Sequence, residues 1–349
     1  MKSPFAHRLK TARLMSGLSQ EELAQGLGIT KQAVSKYENG AMLPDSSILL
    51  HLAKVLGQKP DYFIRPFSVS LDTVEFRKKS VLKGGKLKAV KAQIIDEVER
   101  YLELEALLGL DTAFHNPIEN LLISDFEDVE KAVVELLKAW DLGLNPLPNV
   151  IEMLEDQGVK IVEIEADDSF DGLSSRVQDN IPVIVLNKAF ENVRKRFTAL
   201  HELGHLLLQI PAHASHKEKE AYCHRFAGAM LMPKAILLEE LGKRRQHLSI
   251  NELVNIKEYY GISLAAIIYR ASDLGVISQS TAQRFWQIRN SNPKLKEEIG
   301  YGEYAGKEHS GRFEQLLYKA LAEEIISISK AAYLANTSIE QLNSNLQFV

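Results

Sequence analysis

Apolar positions recur at helical spacing along most of this 349-residue chain. Residues 6 to 66 divide into five short amphipathic segments. Gly84-Gly85 reads as a hinge, and Lys86 to Leu108 predicts one long helix with Val90, Ile94, Val98, Tyr101, Leu102 and Leu104 on or near one face. Residues 127 to 158 predict two more helices, split at Gly143 to Pro148. The pattern then changes. Val159 to Glu165, Ser174 to Gln178, and the β-branched run Asn180 to Asn187 read as strands. Helical spacing returns at Ala189 to Leu208, where Phe190, Val193, Phe197, Leu200, Leu203, Leu206 and Leu207 form an apolar stripe. Another helix begins at Lys217 and is ended by Pro233. Beyond it, Ile250 to Tyr259, Ser263 to Leu274 and Ser278 to Trp286 are helical in pattern. Ser291 to Gly311, with four glycines and several charges, reads as a mobile loop. Ile326 to Glu340 imitates half of a helix-turn-helix without a basic face, so it reads as packing or partner contact. The pattern as a whole predicts a mainly α chain with an α+β unit, its small sheet lying beside the helix 189–208.

Two places in this pattern carry chemistry. Near the amino end, Ser19-Gln20-Glu21-Glu22 reads as a helix cap with a capping box. Gly26 and Gly28 break that helix, Thr30 caps the next one, Lys31 to Glu38, and Asn39-Gly40 closes it. Two short helices joined by a tight glycine turn make a helix-turn-helix. The second place is His201-Glu202-Leu203-Gly204-His205. Histidines four apart on a helix project from nearly one side and can share a metal ion. Glu202 lies about 100° round the helix, close enough to act on the water beside that metal. A zinc site needs a third protein ligand. Glu220, one turn before Cys223 and His224, is the preferred candidate, with His224 as a rival; Glu218 falls about 200° away from Glu220 on an ideal helix. The plainer reading of Glu220 is a first-turn carboxylate favoured by the helix dipole. Cys223, one turn after Glu220, reads first as a small buried apolar filler, with an approach to the metal as the alternative.

Both places resemble known families. Phe197 to Leu207, then Glu220 with Phe226-Ala227 and Leu231-Met232-Pro233, together with Asp171-Gly172-Leu173-Ser174-Ser175-Arg176, resembles the ImmA/IrrE family of bacterial zinc peptidases. That resemblance covers roughly residues 145 to 275. It implies that His201, His205 and Glu220 bind Zn2+ and that Glu202 is the catalytic base. The family often has Asn where this chain has His224. The block Leu18 to Ala24, followed by Ile29 to Gly40, Pro44 and the helix Ser46 to Leu56, resembles the phage-repressor (XRE/Cro) DNA-binding domain. In such a domain the recognition helix enters the major groove. Ala33, Val34 and Tyr37 must then pack inward, leaving Lys31, Gln32, Ser35 and Lys36 pointing out. Gln32 suits adenine, and Lys31 or Lys36 suits guanine or phosphate. Gln20 and Thr30, at helix starts, suit phosphate. A helix-turn-helix used only for protein association is the alternative.

Charge favours DNA. Residues 1–66 carry a net +4 and residues 67–91 a net +5, while the rest of the chain carries −13. The basic run Arg77-Lys78-Lys79 with Lys83, Lys86, Lys88 and Lys91 reads either as added phosphate footprint or as a solvated linker. The single cysteine rules out an intrachain disulfide and suits a reducing cytoplasm. The amino terminus reads as the start of a folded helix and not as a signal peptide, and no apolar run reaches 18 residues, so no membrane span is expected.

These readings combine into one expectation. The fold is mainly α, with an α+β zincin-like domain and an amino-terminal five-helix phage-repressor-type DNA-binding domain. Its parts are a helix-turn-helix domain at 1–66, a basic linker and long connecting helix at 67–112, a zincin-like metallopeptidase domain at 113–236 and a helical carboxy-terminal domain at 237–349. The expected protein is a cytoplasmic transcriptional regulator, homodimeric on double-stranded operator DNA, with a zinc endopeptidase that cleaves a partner repressor or antitoxin. The alternative is a peptidase-like domain that senses or binds a protein without turnover. A substrate segment is expected to lie extended against an edge strand formed around Pro182 to Leu186.

Overall fold

The computed structural model describes residues 4–65, 84–110, 114–168, 170–177 and 181–345. The basic run Arg77 to Lys83 therefore lies outside the described residues. In chain order the helices are α1 (Pro4–Met15), α2 (Gln20–Leu27), α3 (Lys31–Asn39), α4 (Ser46–Val55), a 3₁₀ turn (Pro60–Phe63), α5 (Gly85–Leu107), α6 (Phe126–Ala139) and α7 (Val150–Asp156). Three strands follow: β1 (Lys160–Ile164), β2 (Gly172–Val177) and β3 (Ile181–Asn187). The remainder is helical: α8 (Asn192–Leu207), α9 (His216–Leu231), α10 (Lys234–Leu241), α11 (Ile250–Tyr260), α12 (Leu264–Asp273), α13 (Gln279–Ser291), α14 (Pro293–Lys296), α15 (Arg312–Ala322), α16 (Ile328–Leu334) and α17 (Ile339–Asn345). The fold is mainly α with one small sheet, as the periodicity predicts. Among the described residues two compact units form, one drawn from 1–111, 176–180 and 313–349, the other from 112–175 and 181–312.

In the first unit, local capping sets the helix-turn-helix. Ser19 Oγ accepts from the Glu22 amide at 3.1 Å and Glu22 returns the favour to the Ser19 amide at 2.7 Å, so α2 starts there. Gly28, at φ +67°, ends it in the left-handed region that an L side chain rarely occupies. Thr30 then caps α3 by accepting from the Ala33 amide at 3.2 Å. Leu9, Leu23, Val34, Leu52 and Phe63 are fully buried and hold the segments together. Glu38 is buried and ties three helices: it accepts from Arg13 on α1 at 2.5 Å and 3.1 Å, and from Gln20 on α2 at 2.7 Å. In the same unit, α15 to α17 pack on one another and on Leu104 of α5. The terminal segment that imitates a helix-turn-helix half is thus folded as α16 and α17, with Ala331, Ala332 and Leu334 buried in packing.

In the second unit the sheet has the order β1-β3-β2. This corrects the expectation that Pro182 to Leu186 forms an edge: β3 is the central strand. Pro182 invites the edge reading, because proline has no ladder donor. Its parallel pairing with β1 begins one residue later, at Val183 opposite Lys160, so the proline sits just outside that ladder. Val183 to Leu186 are all fully buried, the mark of a strand covered on both faces.

The segment 291–311 is a second correction: a strap tied down at several points replaces the expected mobile loop. Glu308 is buried, pairs with Arg196 and accepts from the amides of Val150 at 3.1 Å and Ile151 at 3.0 Å. Arg196, fully buried, also reaches the carbonyls of Leu147 at 2.7 Å and Tyr260 at 3.3 Å. Lys257 meets Glu298 at 2.9 Å, and Ser310 donates to Glu155 at 2.6 Å. Burial pushes the Glu308 carboxyl above the ordinary carboxylate range, with Arg196 opposing the shift.

Candidate metal centre

The site is built on two crossing helices. Leu200, Leu203 and Leu207 of α8 are fully buried in the core of the second unit, which leaves His201 and His205 on the flank of that stripe. α9 packs across this flank at Gly204. A Cβ there would meet the Cys223 Cα at 3.3 Å and the Phe226 ring at 3.2 Å, so glycine permits the close crossing. α9 begins with a capping box. Ser215 Oγ accepts from the Glu218 amide at 3.2 Å, and Glu218 accepts from the Ser215 amide at 2.8 Å and hydroxyl at 2.6 Å. Those bonds hold the Glu218 carboxyl below its usual range. Glu218 is committed to the cap, and Glu220 faces α8 instead.

The structure brings His201, His205 and Glu220 together. The two Nε2 atoms lie 3.2 Å apart, and each lies 3.3 Å from a Glu220 oxygen. Ligand atoms held tetrahedrally at about 2.0–2.2 Å from zinc are separated by about 3.3–3.6 Å. The triangle matches that spacing closely, and two imidazoles with one carboxylate are a donor set suited to zinc. The residues therefore fit the metal that the motif implies. His224 stands outside the triangle: its ring packs on His201 at 4.4 Å and on Phe197 at 5.8 Å between centroids.

Two supporting contacts join residues whose partners the helical spacing does not name. Ser174 on β2 donates to Glu202 Oε2 at 2.7 Å, fixing one oxygen of that carboxylate. Cys223 is fully buried, as a filler would be, but its Sγ lies 3.2 Å from His205 Nδ1, on the ring nitrogen turned away from the triangle. When Nδ1–H is the donor to that sulfur, the Nε2 lone pair is left for a metal. The Ser174-Ser175 pair was a visible signal inside a segment noted only for its family likeness.

In the first unit Lys31, Gln32 and Lys36 are exposed on α3, and Ser35 is half-buried. Val34 and Tyr37 face the core, with Ala33 packed against it. Lys31 lies 3.6 Å from Glu21 across the turn, and both are exposed. Gln20 donates one of its two amide hydrogens to Glu38 at 2.7 Å, and Thr30 is the α3 cap.

Comparison with known proteins agrees with both places. Residues 9–63 match the helix-turn-helix family model, and residues 154–272 match the family model of the IrrE N-terminal-like domain. The chain carries these two domains. It is 38% identical over 71 residues to the SPbeta prophage-derived uncharacterized HTH-type transcriptional regulator YonR of Bacillus subtilis (strain 168), covering 20% of this chain and 66% of that protein. It is 34% identical over 61 residues to the uncharacterized HTH-type transcriptional regulator YqaE of the same strain, covering 18% and 53%. A third relative, an uncharacterized HTH-type transcriptional regulator of Sinorhizobium medicae (strain WSM419), is 38% identical over 56 residues, covering 16% and 40%. The chain thus spans less than two thirds of the length of each of these relatives. No described helix is long and apolar enough to cross a membrane.

Proposed function

We propose that this protein is a cytoplasmic, DNA-binding transcriptional regulator whose IrrE-type domain is a zinc endopeptidase acting on a partner repressor or antitoxin. The observation that carries the enzymatic half is the triangle of His201, His205 and Glu220 beside Glu202. Zinc, when held by those three side chains, supplies Lewis acidity toward a carbonyl and acidifies water. Glu202, one residue from His201, takes a proton from the attacking water and delivers it to the leaving amine. Ser174 keeps the Glu202 carboxylate aimed by holding Oε2. β2 is an edge of the sheet and carries Ser174, so it replaces β3 as the strand against which a substrate would lie extended. Only a loop or a locally unfolded stretch of the partner can adopt that form.

The DNA-binding half rests on the capped helix-turn-helix, its exposed Lys31, Gln32 and Lys36, and the basic front of the chain. Ser35 joins them at the groove, while Gln20 and Thr30 serve phosphates at the helix starts. A homodimer on a palindromic operator is the arrangement that suits this motif.

The test is Glu202→Gln in the native host, compared with wild type for new protein amino-termini and for regulated transcripts. The expected result is loss of one cleavage product together with a change in transcripts. Identical termini and transcripts would leave the site structural or sensory and contradict the peptidase reading.

A further inference from the structure

The first unit holds a polar cavity of about 280 Å³. Its walls come from three segments far apart in sequence: the turn Gly57 to Tyr62 after α4, one face of α5, and the end of α16 with the start of α17. Pockets for drug-sized molecules usually measure about 300–1,000 Å³, so this one suits a ligand of pentose or hexose size.

The charged residues of the wall are Lys59, Asp96 and Arg100. Asp96 accepts from Arg100 Nε at 3.1 Å, and Arg100 Nη1 donates to the Leu334 carbonyl at 2.7 Å. Asp96 and Arg100 are buried, and their charges cancel. Lys59 is exposed, so its ammonium is the charge left to a ligand, and it rewards one anionic group.

The rest of the wall is uncharged but rich in hydrogen-bonding groups. Thr337 donates to Gln341 Oε1 at 2.8 Å, which leaves the Gln341 amide hydrogens to other acceptors. Asn336 and Ser338 add an amide and a hydroxyl. Asp96 Oδ1 makes no hydrogen bond and lies 3.9 Å from Arg65 Nη2, and the Tyr333 hydroxyl makes none either. Buried polar atoms normally find partners, so these segments hold hydrogen-bonding capacity that the protein itself does not use. Burial pushes the Tyr62 hydroxyl above its ordinary range, Asp96 adding to the shift and Arg8 opposing it, so Tyr62 stays protonated. Walls that both donate and accept match alcohol hydroxyls, which do the same.

We infer that this cavity binds a small polyol carrying one anionic group, either a sugar phosphate or a sugar acid. Its hydroxyls meet the amide and hydroxyl walls, and its anion meets Lys59. Such a ligand touches the end of the helix-turn-helix domain, α5 and the carboxy-terminal helices at once, so binding ties three segments together. The inference is independent of the metal centre.

The probes are ribose 5-phosphate, gluconate, the neutral polyol ribitol and inorganic phosphate, titrated calorimetrically into the full-length chain. At least one anionic polyol should bind about tenfold more tightly than both ribitol and phosphate. Which of the two binds tells a phosphate site from a carboxylate site. Lys59→Gln should bring that polyol within about threefold of ribitol, and Gln341→Leu should weaken it by about tenfold. Both side chains are exposed, so the fold should survive either change. Saturating ligand should slow hydrogen exchange at the Leu342 amide, which donates to the Ser338 carbonyl at 3.0 Å. Phosphate matching the better polyol would mean an adventitious ion only and overturn the inference. Binding of neither anionic polyol, a preference that survives both variants, or unchanged exchange at Leu342 would overturn it as well.

Discussion

Cys223 shows how a single side chain can matter through another. Its sulfur sits 3.2 Å from His205 Nδ1, where many metal-binding histidines have a carboxylate or carbonyl. Removing such a partner typically costs about 10–100-fold in metal affinity. Cys223→Ala is therefore expected to keep the fold and weaken zinc binding by about tenfold or more, read by competition with a chromogenic chelator. Unchanged affinity would reduce Cys223 to the filler its composition suggests. The residue scale also shows what the sequence could and could not reveal. His201 and His205 are legible because four residues make a helical turn, a local fact. Glu220 was separable from Glu218 by helical register alone. The bond from Ser174 to Glu202 spans 28 residues and two kinds of element, so no local spacing encodes it.

At the scale of elements, caps decide where function can sit. Glu218 starts α9 and thereby turns Glu220 toward α8. Its carboxyl is held below the ordinary range by Ser215, the larger cause being the side-chain hydrogen bond. A lowered folded pKa gives stability that is present above the unfolded value near 4.5 and lost as pH falls through the folded value. The first turn of α9 should accordingly lose amide protection on acidification below about pH 4.5, and Glu218→Gln should show that lower protection already at neutral pH. Hydrogen exchange at the Glu218 amide checks this; equal protection in wild type and variant at neutral pH would contradict it. The capped helices were predictable from such short-range signals. The strap at 291–311 was not, because its glycines and charges look the same in a loose loop. What fixes it is Glu308 meeting Arg196 across 112 residues and Ile151 across 157. The central place of β3 was hidden for a related reason: Pro182 is a local signal, and the register that excuses it belongs to β1.

At the scale of the whole molecule, charge is divided. The first 91 residues carry +9 and the remainder −13. DNA affinity should therefore be carried by residues 1–66 and fall steeply with salt, because phosphate contacts release counterions. Gln32→Ala should relax base preference, whereas Lys36→Ala should weaken binding to all sequences and lower the salt slope by about one. Footprinting is the check, and a fragment lacking residues 1–66 that protects the same promoter would contradict this assignment. The proposed peptidase depends on one centre, so its most direct measurement is the zinc content of purified, dialysed chain. The account predicts about one zinc per wild-type chain, none in His201→Ala, and a large loss in Glu220→Gln. Wild-type protein that takes up no zinc when supplied with it would contradict the metal centre, and full retention in Glu220→Gln would contradict Glu220 as its third ligand.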